Sequence, residues 1–156
     1  MGGWRRFSVG AHSILITAME LATERASERV ETQDMVKAIL FNPETAAFKV
    51  LREIGVTNDI VRSPYPRCSK QKFKRSREEQ RLMDAAYEEV KKQGVMYFAS
   101  EYFLLGAAFF YGGEFANALS LAGAHVPNPE AVTLENLRMV AGAVREREGP
   151  PGVPAN

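Results

Sequence analysis

The chain has 156 residues, 46% hydrophobic and 25% charged, with a net charge of +1, which are the proportions of an ordinary globular domain. That length suits one domain, or two small halves sharing one core. One cysteine, Cys68, excludes an internal disulfide, and "MGGWRRFSVG" lacks an apolar leader, so a cytoplasmic, reducing setting is expected.

The small net charge hides an uneven distribution. Residues 1–66 hold eight cations and eight anions, 67–77 hold six cations and no anion, and 78–156 hold six cations against eleven anions. An acidic half therefore follows a short basic connector.

In chain order, Ser8 is placed to cap a first helix whose apolar face carries Ile14, Leu15, Ala18, Leu21 and Ala22. Thr32 is expected to cap the second, with Met35, Val36, Ile39 and Leu40 inward. The third opens at Asn42-Pro43, carries Ala47, Phe48, Leu51 and Ile54, and stops at Gly55, where the backbone turns left-handed. The plan then returns. Leu82, Met83, Ala86 and Val90 line a fourth helix, and Ser100 is expected to cap a fifth with Phe103, Leu104, Ala107 and Ala108 inward. Phe115, Ala118, Leu119 and Ala122 precede a second stop at Gly123. A last helix after "PNPEAVT" turns Leu137, Val140, Ala141 and Val144 inward, with Glu135 near its positive end. The tail "GPPGVPAN" has nothing to bury. No segment alternates at period two for long enough to predict a strand, so the class is all-α.

Both halves follow one plan, and the sequence shows an internal repeat. Leu15 and Ala18 match Leu82 and Ala85 at an offset of 67, while Thr32, Met35, Val36, Leu51 and Gly55 match Ser100, Phe103, Leu104, Leu119 and Gly123 at 68. The reading divides the chain into a first repeat at 5–62, a basic linker at 63–73, a second repeat at 74–147 and a tail at 148–156.

Between Gly94 and Gly113 the only formal charge is Glu101, which raises the question of a membrane span. The repeat answers it. The stretch aligns with "ETQDMVKAILF", whose Asp34 and Lys37 no bilayer would accept, and Glu101 would itself lie inside the span. A buried core helix is expected.

The motifs "FSVGAHSILITA", "TQDMV" and "LREIG", followed by "SEYFLLGAAF" and "LSLAG", resemble the Clp N-terminal repeat, two copies of which form the N-terminal domain of Clp-type AAA+ unfoldases. The resemblance spans about residues 5–147 and implies two pseudo-symmetric halves with about eight helices in all. It further implies a non-enzymatic module with protein partners: a Clp-type unfoldase or protease, its adaptors, or substrate segments. No G-x-x-x-x-G-K-[ST] phosphate loop is present, so the chain is expected either to stand beside a Clp machine or to be the docking part of a longer one.

In one branch of that family each half binds phosphoarginine. A hydroxyl at the first helix start takes the phosphate, and a glutamate opening the second helix takes the guanidinium. Carried onto this sequence, the first half keeps Ser8 but has neutral Gln33. The second keeps Glu101 but has Lys74 after Phe73, with Ser76 as a substitute only if the loop shifts. Phosphoarginine binding is accordingly expected to be weakened or lost. Ser8, Gln33, Lys74, Ser76 and Glu101 are the candidate peptide- or adaptor-binding residues.

Other chemistries find little support. His12 and His125 belong to no metal-ligand spacing, no nucleophile stands in a known signature, and no cofactor or metal is expected. The acid pairs Glu78-Glu79 and Glu88-Glu89 are read as solvated helix faces. The connector "RCSKQKFKRSR" supports an alternative, a nucleic-acid or acidic-protein binder on the same scaffold. Only Phe73 interleaves there for stacking, which makes a solvated linker the better reading.

Overall fold

The computed structural model describes residues 6–58, 74–95 and 97–148; the linker 63–73 and the tail beyond Glu148 lie outside the described residues. The first half runs β1 (Arg6–Phe7), α1 (Val9–Glu24), β2 (Arg29–Val30), α2 (Thr32–Leu40) and α3 (Ala46–Glu53). The second runs β3 (Lys74–Arg75), α4 (Arg77–Gln93), β4 (Tyr97–Phe98), α5 (Ser100–Tyr111) and α6 (Phe115–Leu121), and α7 (Leu134–Glu148) closes the chain. Single 3-10 turns occupy Gly112–Glu114 and Pro129–Ala131. The helical class holds. The described residues contain seven α helices, where about eight were expected, and four two-residue strands too short for any alternation to announce.

Caps set the helix starts, and they set one register for the repeat. Ser8 Oγ accepts from the Ala11 N–H at 3.1 Å, and Ser76 Oγ accepts from the Glu79 N–H at 3.0 Å, so the two caps lie 68 residues apart. Ile14 and Ala18 then correspond to Leu82 and Ala86, all four fully buried, whereas Leu15 and Ala85 are half-buried. The offset of 67 in the first helix is thus corrected to 68 throughout. Neighbouring small apolar residues on a helix face tolerate a one-residue misalignment in sequence, but the cap does not.

Three other helix starts differ from expectation. The cap of α2 is Glu31, whose N–H donates to Asp34 Oδ2 at 2.8 Å, and the cap of α5 is Ala99. Thr32 and Ser100 are the first helical residues instead. Helix α3 begins after Pro43, because Thr45 keeps an extended backbone as its cap and its hydroxyl accepts from the Phe48 N–H at 3.4 Å. The predicted stops hold. Gly55 and Gly123 take φ values of +91° and +107°, a region open to residues without Cβ.

The strands tie the halves to each other. β1 pairs with β4 and β2 with β3, both parallel, so the strand before each half's first helix joins the strand before the other half's second helix. Thr57 and His125 exchange backbone hydrogen bonds of 3.1 and 2.7 Å, and they too are 68 apart, a position paired with its own copy. One core cluster spans both halves. Helix α5 sits at its centre, buried at every residue from Ser100 to Ala108 and packed against α1, α2, α3, α4, α6 and α7. This position explains why Glu101 is its only formal charge. No helix among the described residues is long and apolar enough to cross a membrane.

Candidate functional site

The strand pairing decides which helix starts meet. The Ser8 N–H donates to Phe98 O at 3.0 Å, which sets the start of α1 beside the start of α5. A Cβ added at Gly10 would lie 3.4 Å from Ser100 Cβ. At the other seam, the Ser76 N–H donates to Val30 O at 3.1 Å and the Lys74 N–H to Glu28 O at 3.1 Å, placing the start of α4 beside the start of α2. The candidate residues therefore group across the halves: Ser8 with Glu101, and Lys74 and Ser76 with Gln33. Ser76 needs no loop shift, since it already occupies the position equivalent to Ser8.

The two seams have opposite chemistry. At the first, Phe7, Phe98 and Phe103 cluster with ring centroids 4.7–6.4 Å apart, and Tyr87 and Tyr102 meet Phe98 edge-on at 5.1 and 6.0 Å. At offset 68 Phe7, Ala11 and Tyr102 correspond to Arg75, Glu79 and Asp34, so ions fill the second seam. Arg25 grips buried Asp34 with two hydrogen bonds, of 3.0 and 2.5 Å, and that bond raises the arginine's pKa. Arg75 reaches fully buried Glu79 at 2.5 Å, while Arg29 donates to Arg75 O at 3.3 Å. Burial raises the Glu79 carboxyl above its ordinary range, and the hydrogen bond from Arg75 only partly opposes it.

Helix α7 holds the first seam from behind. Arg145 Nε donates to Glu101 Oε2 at 3.2 Å, with its guanidinium 5.7 Å from the Tyr102 ring centre. Glu101 Oε1 and the Tyr102 hydroxyl are buried without a hydrogen-bond partner, and burial pushes the Tyr102 pKa to about 12. Arg138, one heptad before Arg145, grips Glu89 at 3.0 and 2.6 Å. Burial alone would raise Glu89, but Arg138 and Lys92 together hold it below the usual carboxylate range.

Sequence reading missed these acids. Glu79 and Glu89 are 0% and 2% exposed, a correction to their reading as solvated. They fall at the positions of Ala11 and Leu21, on the same face as Leu82, Ala86 and Val90, so correct register would have flagged them. Arg138 and Arg145 were also legible in part, because their spacing of seven puts both on one face of α7. Which acids they reach was not. Gln33, Lys74, His12 and His125 are exposed. Among the described residues, no group of three or more His, Cys, Asp or Glu side chains is placed to hold a metal, and Cys68 lies outside them.

With this geometry in place, likenesses to known proteins have a structural meaning. The chain superimposes with a TM-score of 0.56 on the N-terminal domain of the caseinolytic protease associated chaperone ClpD from Arabidopsis thaliana, at 18% identity over 92% of this chain and 98% of that one. It superimposes equally, TM-score 0.56, on the Hsp104 N-terminal domain from Candida albicans, at 14% identity over 94% of each chain. No curated protein sequence matches. The profile of the Clp repeat (R) N-terminal domain matches residues 6–122, three-quarters of the sequence and every element from β1 through α6, and the chain belongs to that family.

Proposed function

We propose that this chain is a non-catalytic docking module that works with a Clp-type unfoldase or protease, engaging the machine itself, its adaptors or substrate segments. The observation that carries this reading is the family match across residues 6–122, which runs from β1 through α6 and takes in the two seams where the helix starts meet. At the seams helix starts stand side by side, with an aromatic cluster behind one and exposed Gln33 and Lys74 at the other, while Ser8, Ser76 and Glu101 are buried. Affinity purification from the source cell tests the reading. Clp subunits should co-elute, and recovery of nucleic-acid complexes alone, with affinity falling steeply as salt rises, would replace it with the basic-connector alternative.

The candidate residues support a second part of the proposal, that phosphoarginine binding is weakened or lost. Glu101 stands in the same seam as Ser8, but Arg145 already supplies its guanidinium partner. The other seam offers neutral Gln33 in place of a carboxylate. Calorimetry with free phosphoarginine should give no micromolar binding, and a micromolar affinity would overturn this.

A further inference from the structure

The two repeats act as controls for each other. In the first, Asn42 closes the seam between α1 and α2: its Nδ2 donates to Thr17 Oγ1 at 3.1 Å and to Ala38 O at 2.6 Å, with all three residues buried. At offset 68 Thr17 and Asn42 become Ala85 and Phe110, so neither hydrogen bond has a counterpart. Helix α5 also continues to Tyr111, three residues past the point equivalent to the end of α2 at Leu40. That extension carries Phe109, 61% exposed, where the equivalent Phe41 is half-buried. The result is a groove of about 480 Å³ lined by Arg81, Asp84, Ala85, Glu88, Phe109 and Phe110. Its rim has gained charge too, since Arg81 and Asp84 replace Ser13 and Ile16.

Because the same fold unit closes this seam in one copy, the open aromatic floor in the other is not a requirement of the fold. We propose that the α4–α5 groove is a docking site for a short peptide segment presenting an apolar side chain beside a basic one. The apolar side chain would sit on Ala85, Phe109 and Phe110. Asp84 and Glu88, one turn apart on α4, present two carboxylates to the basic one. Asp84 accepts from Gln80 at 3.0 Å and Glu88 from Lys91 at 3.3 Å, both exposed pairs of small strength that a ligand cation can exchange. Arg81, nearest the start of α4, repels a cation there and directs it towards Glu88. The acidic balance of residues 78–156 favours the same partner at longer range. This inference rests on the protein-binding reading and adds the class of ligand.

The test is titration of the chain with three synthetic peptides, Ala-Phe-Lys-Arg-Ala, Ala-Phe-Glu-Glu-Ala and Ala-Ala-Lys-Arg-Ala, followed in proton–nitrogen correlation spectra. The first should give saturable shifts at Ala85, Glu88, Phe109 and Phe110 with a Kd of about 1 mM or tighter, and the other two should bind at least about tenfold more weakly. Phe109→Ala, at an exposed site, and the double variant Asp84→Lys, Glu88→Lys should each weaken binding about tenfold with unchanged circular dichroism. Equal binding of all three peptides, or no saturable shift, would overturn the groove assignment. Shifts confined to the surroundings of Ser8 and Ser76 would also overturn it while leaving the protein-binding reading intact. Clp co-purification reports on that reading separately.

Discussion

Gly106 offers the sharpest test of the packing. A Cβ at this position would lie 2.7 Å from Leu82 O, 2.8 Å from Ala86 Cβ and 2.9 Å from Ala86 N, so the obstacle is largely the backbone of α4. Carbon contacts become attractive only near about 3.5 Å, so Gly106→Ala must part α4 from α5 by roughly 0.7 Å, enough to forfeit a quarter to a half of the dispersion at neighbouring contacts. Core overpacking costs about 1–3 kcal/mol. Because α5 is enclosed by six other helices and has no open side to retreat to, the upper end applies. Replacing a helical glycine returns about 1 kcal/mol. The expected net loss is about 2 kcal/mol, or a fall in Tm of about 4–8 °C. Urea unfolding followed by far-ultraviolet circular dichroism should show a lower midpoint with an unchanged slope. Gly142→Ala in α7 is the control, since a Cβ there meets nothing within 4 Å and should add about 0.5–1 kcal/mol. If both substitutions stabilise the chain alike, the close α4–α5 approach is refuted.

Three further outcomes follow from the buried polar groups. Ser100 Oγ accepts from the Ala47 N–H at 3.0 Å across the halves, so Ser100→Ala should cost about 1–2 kcal/mol in urea unfolding, and no loss would show that donor to be satisfied otherwise. Arg138→Ala leaves the buried carboxylate of Glu89 with Lys92 alone, at 3.6 Å; with Arg138 itself 38% exposed, the loss at neutral pH should be about 2 kcal/mol, below the value for a fully enclosed pair. The depressed Glu89 pKa means that its stabilisation is present above the unfolded value and disappears as pH falls through the folded one, so the Arg138→Ala deficit should shrink as pH falls through the carboxylate range. Glu79 has the opposite sign. Its raised pKa makes the native state hold its proton more tightly, so stability declines as pH rises through that value. Glu79→Gln should remove this decline and leave the variant at least as stable as the parent near neutral pH, and an alkaline-side loss in urea unfolding would refute the sign.

The amino-acid sequence by itself determined the helical class, the two-copy plan, the glycine stops and most inward faces, because these depend on periodicity and caps within a few turns of one segment. Ser8, Gly55 and Gly123 are legible in that way. The tertiary structure alone decided which helix starts face each other. Ser8 meets the start of α5, and Ser76 the start of α2, through strand pairs of two residues each that leave no sequence pattern. It also decided which arginine answers each enclosed acid, since Glu79, Glu89 and Glu101 find their partners 4, 49 and 44 residues away and two of those partners come from α7. Local repeats encode which residues point inward. Only folding determines which buried charge each arginine reaches, because that depends on how distant segments pack.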